Sequence, residues 1–237
     1  MSEIAGNLMA LRRRIAEAAQ LSGRAPDSVT LVAVSKTVEP ERIRQAFEAG
    51  QRIFGENRVQ EARGKQPLAP PQAIWHLVGH LQRNKAKEAA RRFDMIHSVD
   101  SVELLRELDR YAAGRERPLE VLIQMNLAEE AAKHGARRED LPGILAAGSD
   151  LRHIKVAGLM IIPPYHPDPE RSRSLFRELA ALAREQGRGA GGPNSLRELS
   201  MGMSEDFEVA VEEGATLVRI GRALFGERPS ALHKEPE

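Results

Sequence analysis

Short runs of aliphatic and β-branched residues alternate along this chain with longer stretches whose apolar positions recur at helical spacing. An amphipathic segment opens it, Glu3 to Gln20, with Leu8, Leu11, Ile15 and Ala18 along one face. Strands are then expected at Val29 to Ser35, Arg52 to Gly55, Ala73 to Val78, Met95 to Ser98, Leu119 to Met125, Lys155 to Ile161, Leu196 to Ser200 and Leu217 to Ile220. Helical stretches begin near Glu39, Asn57, Gln82, Ser101, Arg138, Pro169 and Ser204, and a last short one follows Gly221.

Strands that alternate with helices of this length pair in parallel through right-handed crossovers. Eight such units favour a closed barrel over an open, doubly wound sheet. The expected fold is therefore α/β. It is a single (β/α)8 TIM barrel over about 29–226, with an extra N-terminal helix over about 3–20 and a short C-terminal tail, one domain over 1–237. The segment Gly187 to Pro193, GRGAGGP, superficially resembles a dinucleotide-binding loop. That motif needs a strand before it and a helix after it, and here the order is reversed, so it is read as a connection.

Composition narrows the function classes. The 35 basic and 34 acidic side chains interleave to a net charge of +1, without the basic stripe that duplex binding uses. One Trp, two Tyr and six Phe are too few for a base-stacking platform. With no Cys, disulfides and thiolate metal sites are excluded. The apolar runs are far shorter than a membrane span, and the arginine-bearing Met1 to Leu21 stretch is no secretory signal. Cytoplasm is the expected compartment, with neither nucleic acid nor membrane as partner.

In such a barrel the C-terminal ends of the strands converge on one mouth. The strand ends supply Lys36, Glu56 with Asn57, Gly79 with His80, Asp100, Asn126, the loop from Pro163 to His166, the Met201 to Ser204 run, and Gly221 with Arg222. Lys36 closes the apolar run LVAVSK. Partial desolvation there lowers an amine pKa, and the neutral amine is the form that condenses with an aldehyde. The plainer reading is an ion pair with Glu56. Ser204 is expected to cap the helix after strand seven, whose N–H groups, with Gly221 at the tip of strand eight, suit an anion. Glu205 and Asp206 count against this unless they point away from the mouth. Arg219 lies two residues before Gly221 and so faces the same way. Being always a donor, it would hold a pyridine nitrogen unprotonated.

His76 and His80 have the spacing of a zinc helix motif. On a strand, however, four residues span about 13 Å, and the glutamate of that motif is absent. His76 is read as a hydrogen-bonded barrel residue and no metal is expected.

Several segments together resemble the pyridoxal phosphate homeostasis proteins, single-domain relatives of the alanine racemase barrel. They are AVSKTVEPERIRQAFEAGQRIFGENRVQEA at 33–62, WHLVGHLQRNK at 75–85, HSVDS at 97–101, MNLAEEAAKHG at 125–135, GLM at 158–160 and LSMGMSEDFEVAVEEGATLVRIGRALFG at 199–226. The resemblance implies that Lys36 carries pyridoxal 5′-phosphate (PLP) as a Schiff base. It further implies that Ser204, Gly221 and Arg222 hold the phosphate, that Arg219 meets the pyridine nitrogen, and that Asn57 and His76 line the pocket, with Met203 also among the cofactor-binding residues. Lys133 matches a lysine that influences cofactor transfer. Position 222 departs from many relatives, which carry a small hydroxyl residue there.

Two function classes follow. One is a non-catalytic carrier that buffers PLP or delivers it to PLP-dependent apoenzymes, influencing amino- and keto-acid pools. The other is an amino-acid racemase, which needs acid–base groups on both faces of a planar intermediate. Racemases of the related family place one of these on a tyrosine supplied across a dimer with a second domain, and only 12 residues follow Phe225 here. Tyr165 is the one candidate second base, and the carrier, as a monomer or weak dimer, is expected instead. A barrel for some other phosphorylated metabolite would keep the anion site and drop the Schiff base.

Overall fold

The computed structural model describes residues 2–128, 130, 134–187 and 196–226. Eight strands close a parallel barrel in the order of the chain. They are β1 (Thr30–Val34), β2 (Ile53–Glu56), β3 (Ile74–Leu77), β4 (Met95–Val99), β5 (Leu119–Met125), β6 (Ile154–Ile161), β7 (Glu198–Ser200) and β8 (Leu217–Ile220). Closure is made by β8 against β1, with Thr30 level with Leu217 and Ala33 level with Ile220. The helices among the described residues are α1 (Glu3–Leu21), α2 (Pro40–Glu48), α3 (Val59–Lys65), α4 (Ala86–Arg92), α5 (Val102–Ala112), α6 (Leu141–Ser149), α7 (Arg173–Gly187), α8 (Phe207–Glu212) and α9 (Arg222–Phe225). None is long and apolar enough to cross a membrane.

The expected strands and helices are all present, and their margins moved for local reasons. The helices expected near Gln82, Arg138 and Pro169 open with 3-10 turns at Arg83–Lys85, Arg138–Asp140 and Pro169–Ser172 before α4, α6 and α7. Ser204 does not cap α8. That helix starts at Phe207, Asp206 holds the cap position, and its carboxylate accepts the Met203 N–H at 2.7 Å.

Strand alternation sorts side chains into two layers. Leu31, Ala33, Phe54, Leu77, Ile96, Val121, Ile123, Leu159 and Ile220 face the helices and join one large apolar shell. Val32, Val78, Met95, Leu122, Ala157, Met160 and Leu217 form a smaller cluster inside the barrel. On β6 the alternation survives through a bulge. Val121 pairs with Val156 but Leu122 pairs with Gly158, so one extra residue lets Leu159 face the shell and Met160 the interior.

The helix after β8 is a single turn, too short to cover the seam where the barrel closes. α1 fills that place. Its stripe Ile4, Leu8, Leu11, Ile15 and Ala18 is buried, and it packs on α8, α9 and α2. The residues that begin the chain thus cover the strand that ends the barrel.

Candidate functional site

A cavity of about 390 Å³ opens at the C-terminal ends of the strands, within the range usual for small-molecule sites. Lys36, Asn57, Met203, Ser204, Arg219, Gly221 and Arg222 all line it. Residues more than 180 positions apart in the sequence therefore share one space, because β1 and β8 are neighbours at the closure. His76 does not line it. It sits on β3 two residues before the lining Val78, buried, with Nδ1 3.0 Å from His97 Nε2. Lys133 and most of the Gly187 to Pro193 loop lie outside the described residues.

Lys36 stands two residues past Val34, the last residue of β1, and so keeps its inward parity where the strand meets the mouth. The ion pair with Glu56 that the strand ends suggested is made by a different lysine. Lys65 Nζ, from α3, lies 2.9 Å from Glu56 Oε1 and 2.6 Å from the Ser35 carbonyl, and Ser35 Oγ donates to the same carboxylate at 2.7 Å. Glu56 is wholly buried on the shell side of the barrel. Burial pushes its pKa up, against the pull of Ser35 and Lys65. This network clamps the backbone immediately before Lys36. Thr37, the next residue, takes φ 61°, a left-handed conformation rare for a β-branched side chain, and its N–H donates to Glu61 Oε2 at 3.2 Å.

The opposite wall is built from the ends of β7 and β8. Gly221 packs so closely on β1 that a Cβ there would meet the Val34 carbonyl oxygen at 3.0 Å. Gly221 also caps α9, so the Arg222 and Ala223 N–H groups at the start of that helix have no acceptor within it. The objection raised by the two acidic residues is half answered. Asp206 is buried, turned back onto the Met203 N–H, and does not line the cavity. Glu205 does line it, and it is ion-paired to Arg222. An anion arriving beside Arg222 must compete with that carboxylate.

At the rim, Gly79 lets the Asn57 loop approach: a Cβ at Gly79 would lie 2.4 Å from the Asn57 carbonyl oxygen. Only glycine fits there, and the approach brings Asn57 to the rim.

Arg219 is buried, with one face on the cavity. It donates to Ser200 Oγ at 2.6 Å and to the Ile161 carbonyl at 2.9 Å. Burial lowers its pKa to about 10, with the charge of Asp206 opposing the drop, so it remains a cation at neutral pH. Ser200 and His97 were not singled out by the strand-end pattern because they lie below the rim. Their inward parity on β7 and β4 was the available signal.

His76 and His80 part company in the fold. His80 stacks on His134, ring centroids 3.5 Å apart at 5°, with Asp100 Oδ2 3.9 Å from His80 Nδ1. Among the described residues these three are the one group whose ligand atoms gather within 4.8 Å. A metal must lie in the plane of each imidazole it binds, and two stacked rings share no such point. The trio forms a loop-to-loop contact in this arrangement.

Over residues 6–229 the chain matches the family model described as "Alanine racemase, N-terminal domain". It is 43% identical to the "Pyridoxal phosphate homeostasis protein" of Pseudomonas aeruginosa over 229 residues, 96% of this chain and 97% of that one. Among solved structures it resembles PipY of Synechococcus elongatus "with PLP bound", TM-score 0.83 and 42% identity over 94% of this chain and all of that one. Alanine racemase of Corynebacterium glutamicum shares the fold, TM-score 0.62 at 18% identity, over 96% of this chain but 62% of the racemase. Sequence, fold and cavity thus converge, and the chain belongs to the family of pyridoxal phosphate homeostasis proteins, within the alanine racemase N-terminal domain family.

Proposed function

We propose that this chain is a PLP carrier of the cytoplasm that holds the cofactor covalently through Lys36 and buffers it or hands it on to PLP-dependent apoenzymes, acting as a monomer or weak dimer. One observation carries the proposal. The Lys36 amine, a cationic donor that meets no carboxylate directly among the described residues (Arg219), and the anion-seeking backbone at Gly221 and Arg222 share a single cavity of small-molecule size.

The donor set fits each part of PLP. The Lys36 amine suits an aldehyde. Ser204 and the first N–H groups of α9 suit a phosphate, with Met203 lining the wall beside them and Arg222 able to leave Glu205 for it. Arg219 suits an uncharged ring nitrogen because it can only donate. Asn57 closes the side of the pocket, and His76 acts from beneath it. When bound, PLP supplies an aldehyde that reacts reversibly with amines, which is the chemistry a carrier needs. Names and ligands of the relatives support this reading, since the P. aeruginosa protein and PipY match nearly the whole chain.

Little favours turnover. Tyr165, the candidate second base, is 77% exposed and does not line the cavity. Tyr111 lies on α5, beneath the Arg110 guanidinium.

The purified chain is expected to show a visible absorbance band that borohydride removes, leaving the cofactor mass on the peptide containing Lys36. Lys36→Ala is expected to abolish that adduct, and Ser204→Ala to weaken PLP retention roughly tenfold, the worth of one hydrogen bond to a charged group. A wild-type protein with no adduct would leave only a barrel for some other phosphorylated metabolite. Exchange of solvent deuterium into the α-carbon of an amino acid would restore the racemase.

A further inference from the structure

Beneath the cavity the barrel carries a file of polar side chains where this fold usually places aliphatic ones. Arg219 donates to Ser200 Oγ at 2.6 Å, Ser200 Oγ lies 2.8 Å from His97 Nδ1, and His97 Nε2 lies 3.0 Å from His76 Nδ1. All four residues are buried, and only Arg219 reaches the cavity. They come from β8, β7, β4 and β3, so the file crosses the interior from one wall to the other.

We propose that Ser200, His97 and His76 are positioning residues that hold Arg219 through a one-way chain of hydrogen bonds, so that Arg219 keeps its charge and presents a fixed donor to the ring nitrogen of bound PLP. The proposal rests on the PLP reading above.

The first member fixes the direction of the first link. A guanidinium has only donors, so Ser200 Oγ accepts from it. In the proposed chain the serine proton goes on to His97 Nδ1, which makes that nitrogen an acceptor and puts the His97 proton on Nε2. His97 in turn donates to His76 Nδ1. Every link is a donor pointing away from the cavity, and none of these contacts involves a carboxylate. Burial supports this, holding His76 down to about 4 and His97 well below the ordinary imidazole range, the latter with the charges of His76 and Arg219 adding to the effect. The charge of Asp206 acts on Arg219 and favours the charged guanidinium.

The contrast with a carboxylate partner gives the chain its purpose. An acid at position 200 would take the guanidinium into a bidentate ion pair, cancelling its charge and aiming its fork away from the ligand. Neutral acceptors fix the fork without cancelling it. A full positive charge beside the ring nitrogen then opposes protonation there, which suits a protein that stores PLP and does not turn it over.

Two measurements test this separately from the PLP reading. In the apo protein, side-chain ¹⁵N NMR is expected to show His97 and His76 as neutral Nε2–H tautomers, unchanged from pH 5.5 to 8. In the PLP-loaded protein, Ser200→Ala is expected to weaken PLP binding about tenfold, because Arg219 is no longer held at the ring nitrogen and its own hydrogen bond to the ligand is lost. It is also expected to add a pH-dependent step to the visible spectrum between pH 6 and 9 that wild type lacks, while Ser200→Thr, which keeps the hydroxyl, restores both. An Nδ1–H tautomer or a charged imidazole at His97 overturns the chain. So does a Ser200→Ala protein that binds PLP with wild-type affinity and spectrum. If Ser200→Ala does not fold, the wild-type tautomers and Ser200→Thr decide. A wild-type protein that forms no Lys36 adduct overturns the PLP reading instead, and the tautomers still report on the chain.

Discussion

The shell between strands and helices and the interior of the barrel are built on opposite rules. Shell residues such as Phe54, Leu77, Phe93, Leu105 and Phe176 are fully buried among aliphatic and aromatic neighbours. The interior holds a smaller apolar cluster, interleaved with His76, His97, Ser200 and Arg219. Burial of apolar area is non-directional and large, so the shell carries stability. A buried hydrogen-bonded chain adds little net stability, yet it fixes atoms in place, because leaving any member unpaired is costly. Packing dominates the outer face of the sheet and positioning the inner one, with the Ser35–Glu56–Lys65 clamp as the buried polar exception in the shell.

The division can be broken most forcefully from the shell side. Phe176→Ala on α7 is expected to cost about 3–5 kcal/mol of stability, the transfer loss plus a cavity. The protein that remains folded should still bind PLP on Lys36. Urea unfolding read beside the borohydride adduct checks both halves, and a lost adduct in folded protein would mean the layers are not separable.

A smaller effect probes the interior by pH. The unfolded-state pKa of His76 is 6.5 and burial takes the folded value to about 4. Above pH 6.5 neither state holds the proton. As pH falls from 6.5 towards 4 the unfolded chain binds it first, so stability is lost across that window, by about 3 kcal/mol for this group. His97, also depressed by burial, acts in the same direction. His76→Asn should flatten the fall in urea midpoint between pH 7 and 4 relative to wild type. Parallel curves for the two proteins would show that His76 is not held neutral.

The smallest effect sharpens the boundary at the rim. Thr37 is exposed and strained at φ 61°, immediately after Lys36. Asn tolerates that region better, and Thr37→Asn is expected to raise stability by roughly 1 kcal/mol. A gain in stability accompanied by weaker PLP retention would show that the strained turn aims Lys36. A gain with unchanged retention would assign the aim to the Ser35–Glu56–Lys65 clamp alone.

Periodicity made the fold legible. Alternation of period two and period 3.6 is local, so eight strands, their helices and the amphipathic α1 could be read along the chain, with margins off by a turn where 3-10 entries and Asp206 intervened. Strand parity also gave Lys36 at the mouth and Arg219 on the face of Gly221, since each depends only on counting from a strand end. Seven of the eight residues expected around the cofactor line one cavity.

What the chain could not announce is which inward residues stand level once the barrel closes. Lys65 instead of Lys36 meets Glu56 because α3 folds back over β2. Glu205 and Asp206, adjacent in sequence, part because one completes the turn into α8 while the other pairs with Arg222 at the rim. His97 and Ser200 are 103 positions apart, and only the stagger of β4 against β7 brings them within 2.8 Å. Local pattern fixes which face a side chain takes. Closure and stagger choose its partner, and they are properties of the whole sheet that no single segment encodes.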